Sequence, residues 1–128
     1  MLFAIASLAL FATVTPEVTA EVPVQATLTL ASAVVKRQPQ PLGQEAYAGQ
    51  PIYAFTEITG PGGGFVEHVW SRDGKEVARH YLPVGQNKHW RTWSRHTVAA
   101  GKYKVEVLGP DGKLLQETAF DVLGDLDD

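Results

Sequence analysis

The chain has 128 residues, is 45% hydrophobic and 20% charged, and carries a formal net charge of −3. That length and balance suit one folded domain and exclude global disorder, while the acidic total argues against a nucleic-acid partner, which calls for a basic surface. With no cysteine, disulfides, thiol nucleophiles and thiolate metal sites are excluded together.

Leu2 to Val14 is an uncharged apolar run, followed by Pro16 and by Val18-Thr19-Ala20. Such a run ahead of small residues predicts a secretory signal peptide over residues 1–20, cleaved after Ala20. It is shorter than the ~20 residues of a membrane-spanning helix. No Lys or Arg precedes it, so the end of a membrane anchor, a possible tether, is the second reading. Either one predicts a secreted or periplasmic domain.

The rest reads as strands. Val24 to Lys36 alternates Gln25, Thr27 and Thr29 with Ala26, Leu28 and Leu30, a period-2 pattern. The prolines of Arg37 to Gly43 predict a loop, continued irregularly from Glu45 to Pro51. Ile52 to Thr59 is apolar on both faces. Gly60-Pro61-Gly62-Gly63-Gly64 is a turn, and it lacks the Lys-Ser/Thr and the helix that a phosphate-binding loop needs. Phe65 to Arg72 and Glu76 to Pro83 form a hairpin about Asp73-Gly74. Lys102 to Leu108 and Leu114 to Val122 form another about Gly109-Pro110-Asp111-Gly112. About seven short strands with Gly/Pro/Asp turns predict an all-β antiparallel sandwich over residues 24–123, with an acidic tail at 124–128.

His89-Trp90-Arg91-Thr92-Trp93-Ser94-Arg95 holds two of the three tryptophans and two of the five arginines. As a strand, its side chains alternate between two faces. Arginines rarely face a core unpaired, so Trp90, Thr92 and Ser94 should point inward, and Arg91, Trp93 and Arg95 outward.

Several landmarks then come in order: Lys36-Arg37-Gln38-Pro39, Tyr53-Ala54-Phe55-Thr56-Glu57, Glu67-His68-Val69-Trp70, Asp73-Gly74-Lys75, Trp90-Arg91-Thr92-Trp93-Ser94, Gly101-Lys102-Tyr103-Lys104-Val105, and Asp111-Gly112 before Phe120. From about Leu28 to Val122 the chain resembles the bacterial domain of unknown function 2914. Tyr103 stands where tryptophan is commoner there, and Arg95-His96 where a Ser-Lys-like pair is usual. The resemblance implies an immunoglobulin-like envelope domain behind a signal peptide or anchor, and it implies no catalytic residue.

Trp70 is where such sandwiches fill the core between sheets, which makes Trp70, Trp90 and His68 core residues, the two tryptophans in one cluster. A buried imidazole needs partners, and Thr92, Ser94 or Glu57 could supply one to His68. His68, His80, His89 and His96 show no ligand spacing, so no metal and no cofactor is expected. Ser94 with His68 or His96 and Asp73 has the atom types of a triad but no nucleophile elbow.

The candidate ligand-binding surface is Arg91, Trp93 and Arg95, with Tyr53, Phe55 and Phe65 on the same outward side. It offers a flat apolar face plus donors shaped for carboxylate, phosphate or sugar hydroxyls. The structural alternative is that Arg91 and Arg95 only cover Trp93, paired with Glu57 or Glu67. The expected role is a non-catalytic binding or interaction module of unknown ligand, whose partner is an unidentified envelope protein or glycan. Its rivals are a glycan- or peptidoglycan-binding module and a structural part of an envelope assembly.

Overall fold

A computed structural model describes residues 23–43 and 45–124. The expected signal or anchor segment at 1–20, and most of the expected acidic tail, lie outside them.

Among the described residues there are nine strands: β1 (Gln25–Val35), β2 (Gln38–Pro41), β3 (Ala46–Tyr47), β4 (Pro51–Thr59), β5 (Phe65–Arg72), β6 (Lys75–Pro83), β7 (His89–Thr97), β8 (Gly101–Leu108) and β9 (Leu114–Leu123). They form two sheets, one ordered β2-β1-β4-β7 and the other β3-β9-β8-β5-β6. Each sheet turns its alternate apolar side chains toward the other, giving a β-sandwich. Seven of the strands follow the alternation of the sequence closely.

The other two correct the loop expected from Arg37 to Pro51. β2 pairs antiparallel with β1 despite two prolines, Pro39 opposite Val34 and Pro41 opposite Ala31. It is the outermost strand of its sheet, where a missing N–H costs no ladder bond. β3 is only two residues long and runs parallel to β9, a pairing with no local sequence signal.

The interior is divided. One apolar cluster gathers Ile52, Ala54, Trp70, Val98, Tyr103 and Val105. Another gathers Ala26, Ile58, Val66, Val84 and Val107, with Trp90 packed against it. The single Trp70–Trp90 cluster expected from the sequence is therefore two clusters. Buried polar residues Thr56, His68 and Ser94 separate them, because His68 stands between Val66 and Trp70 on β5 and Thr56 between Ala54 and Ile58 on β4.

Trp70 is fully buried, edge-on to Phe120 at 6.5 Å between ring centroids and tilted against His96 at 5.3 Å. Burying an indole of this kind removes roughly 150–250 Å² from water, a gross gain of about 5 kcal/mol. The Tyr103 hydroxyl accepts a 3.0 Å hydrogen bond from the Ala99 N–H, tying the start of β8 to the loop before it. Gly85 lies under Trp90: a Cβ there would stand 2.3 Å from the indole, so only glycine lets the β6–β7 link pass.

Candidate functional site

The outer face of the four-stranded sheet is set by the register of β4 and β7. Tyr53 pairs with Arg95, Phe55 with Trp93, and Glu57 with Arg91. These six side chains therefore point to the same side, away from β5. Phe65 does not join them. It belongs to β5 in the other sheet, where it is exposed, because the Gly60–Gly64 turn carries the chain across the sandwich.

Directly opposed aromatic residues stack across neighbouring strands. The Phe55 and Trp93 rings lie 5.7 Å apart at 13°. Phe55 is only 2% exposed although it points outward, so it is the bed on which Trp93 rests and offers no surface of its own. Trp93 and Tyr53 are half-buried and Arg95 is exposed.

The arginines divide by their partners. Arg91 Nε donates to Glu57 Oε1 at 3.1 Å, and His89 Nε2 lies 3.9 Å from the same oxygen. Arg72 lies 3.9 Å from Asp73 Oδ2 and donates to the Ala100 carbonyl at 2.8 Å. Arg79 is held by Glu67 and Glu76. Among the described residues no carboxylate lies within ion-pair distance of Arg37 or Arg95. Glu67 thus serves Arg79 in the other sheet, and Glu57 alone of the two expected acids serves this face.

Arg37 is the residue the sequence did not place. Lys36 and Arg37 form the two-residue tip of the β1–β2 hairpin, between the paired Val35 and Gln38, with φ of 52° and 62°. This is the left-handed conformation that such a turn demands and that favours Gly or Asn. Two long cationic residues hold it instead, at a cost of order 1–2 kcal/mol each. The hairpin carries a register shift between Ala31 and Ala33, and its tip puts the Arg37 guanidinium 5.8 Å from the centroid of Trp93. The arginine on Trp93 is therefore Arg37, a role that the structural alternative gave to Arg91 and Arg95. A shallow recess of about 220 Å³ between Arg37 and Pro83 is floored by Trp90, Arg91, Thr92 and Trp93.

The inner face of the same strands is a closed polar chain. Thr56 Oγ1 donates to the Thr92 carbonyl at 3.2 Å, so it accepts from His68 Nε2 at 3.3 Å. Ser94 Oγ accepts from Trp70 Nε1 at 3.0 Å and donates to His68 Nδ1 at 2.7 Å. One arrangement, neutral His68 with its proton on Nε2, satisfies every group. Burial, and then the nearby His80, push the His68 pKa down to about 4. Burial and His80 also lower that of His96. His80, opposite His68 on β6, keeps a buried Nε2 with no partner among the described residues.

Of the triad atoms noted in the sequence, Ser94 and His68 do meet, and Asp73 does not join them: it bonds the Lys102 N–H at 2.9 Å. His68 is fully buried and Ser94 is 5% exposed, and Ser94 Oγ also accepts the Trp70 N–H. Among the described residues no three His, Cys, Asp or Glu side chains are placed to hold a metal ion.

Residues 65–122 match the family model described as "Protein of unknown function (DUF2914)". No curated protein matches the chain. The matched stretch contains the landmarks from Glu67 onward, Trp70, Trp90 and Trp93 among them, whereas Lys36–Pro39 and Tyr53–Glu57 precede it. Over residues 65–122, from β5 into β9, the chain is thus similar to the family of domain of unknown function 2914.

Proposed function

We propose that the chain is a non-catalytic binding module of the cell envelope, secreted or periplasmic, which meets its partner on the outer face of the β2-β1-β4-β7 sheet. The observation that carries this reading is the pairing pattern: the two arginines without a carboxylate among the described residues, Arg37 and Arg95, both lie on the face of Trp93. Unpaired guanidinium groups beside a flat aromatic surface have donors left for a ligand.

An immunoglobulin-like assignment of the sandwich fits the strand order, the buried Trp70 on β5, and the Tyr103 hydroxyl bonded to the backbone just upstream, the arrangement known as a tyrosine corner. The apolar run at Leu2 to Val14 and the small residues before Glu21 support export.

The test compares the wild type with Trp93→Ala, each immobilised and exposed to periplasmic extract and to a glycan array. Loss of a retained partner with a melting temperature only a few degrees lower supports the proposal. A partner retained equally by Trp93→Ala overturns it. A glycan retained through Trp93 and Tyr53 would assign the face to sugar stacking and not to a protein.

A further inference from the structure

Resting on that binding-module reading, we infer that the partner is an acidic polypeptide segment, bound in extended form along the free edge of β7 with its carboxylates on Arg37 and Arg95. Among the described residues β7 ends its sheet, in register with β4 along all nine of its residues on one side. Its other side is a row of N–H and C=O groups able to pair with an added strand. The remaining edges are poorer. β2 carries Pro39 and Pro41, β3 has two residues, and on β6 the outward Arg79 is already held by Glu67 and Glu76.

The recess between Arg37 and Pro83 opens on that edge, since its floor is the β7 run Trp90 to Trp93. A strand paired there places every second side chain beside the outward residues of β7, about 4.5–5.5 Å away. One carboxylate then meets Arg95, an aromatic or branched residue two positions on meets Trp93, and a second carboxylate meets Arg37. Arg91 contributes less, because Glu57 neutralises it. The left-handed backbone at Lys36 and Arg37 fits this role, for strain of that kind persists where it holds a side chain in a working position. The surrounding protein is acidic overall, so the cationic patch selects an anionic segment by contrast. The row of main-chain groups beside the arginines favours a peptide over an anionic glycan.

The probe is an acetylated heptapeptide with glutamate at its second and sixth positions, phenylalanine at the fourth and threonine elsewhere. Its glutamine version, a version N-methylated on alternate residues, and polygalacturonate are measured beside it by calorimetry on the full chain. The glutamate peptide should bind and weaken as salt rises. Arg37→Gln and Arg95→Gln should each cost about tenfold in affinity, and the N-methylated version should lose binding. Both variants should melt close to the wild type, so a loss is not a folding failure. Equal affinity for the glutamine peptide, or no change in either variant, overturns the inference. Polygalacturonate bound in place of the peptide also overturns it, yet leaves the binding-module reading standing if Trp93→Ala abolishes that binding. Binding of neither probe, with a partner retained from extract equally by Trp93→Ala, removes both.

Discussion

Strands β4 and β7 carry polar and aromatic groups on both faces, and the two faces treat them oppositely. Inward, Thr56 and Ser94 close a chain with His68, Trp70 and the Thr92 carbonyl in which every donor has an acceptor. Outward, one residue away at each step, Arg95 has no carboxylate within ion-pair distance among the described residues and the Trp93 ring is shared with a guanidinium from a distant hairpin. A satisfied network in a medium of low dielectric fixes one packing of the core. A face with donors left over is fit for a partner. The contrast predicts that damage inside is paid in stability and damage outside in binding.

The sharpest break is Ser94→Ala. It leaves Trp70 Nε1 and His68 Nδ1 buried without partners at once, each orphan costing about 1–3 kcal/mol. A total near 3–4 kcal/mol is expected from urea denaturation. If the loss stays under about 1 kcal/mol, the inner chain does not have the directed form described.

Acid tests the same network without mutation. His68 has a pKa of about 4 in the folded chain against an ordinary 6.5, chiefly because burial disfavours the imidazolium. The unfolded chain therefore binds more protons between those values, and stability falls as the pH drops. The contribution is whole above pH 6.5, declines between 6.5 and about 4, and is spent below. It amounts to about 3 kcal/mol, with His96 acting in the same direction. Chemical denaturation at pH 7 and pH 4 should show this loss, and a His68→Gln variant should show a shallower one.

Much of this contrast was legible in the residues from His89 to Arg95, because strand parity is local: alternate side chains must diverge, and arginines do not enter a core unpaired. The same rule placed Tyr53 and Phe55 on one side, but it could not tell that Phe55 lies under Trp93. That depends on Phe55 being opposite Trp93 in the register, which no local pattern contains. Arg37 was hidden for a stronger reason. Its turn has no Asn or Gly to announce the left-handed backbone, and Pro39 and Pro41 mask the strand that follows. The separation of Trp70 from Trp90 was equally out of reach, since it comes from a histidine and a threonine meeting across two sheets.

Trp93→Ala measures how far the outer face is also structural. The indole is half-buried and covers Phe55, so its removal should cost about 1–2 kcal/mol, between a surface change and the 3–5 kcal/mol of a core tryptophan. Thermal denaturation giving the full core value would make Trp93 an interior residue in energetic terms, and the two faces would then differ less than their hydrogen bonds suggest.

The smallest effect expected is the most telling for the outer face. Arg95 is exposed and has no carboxylate within ion-pair distance among the described residues, so folding gains little from its charge. Arg95→Gln should change stability by less than about 0.5 kcal/mol, whereas Arg91→Gln also breaks the 3.1 Å bond to Glu57, which a partly exposed pair makes worth up to about 1 kcal/mol. Paired urea titrations of the two variants at low and high salt separate them: the Arg91 deficit should shrink with salt and the Arg95 value should stay near zero. An Arg95 deficit as large as that of Arg91 would mean that the guanidinium works for the fold, and the face would have one fewer free donor to offer.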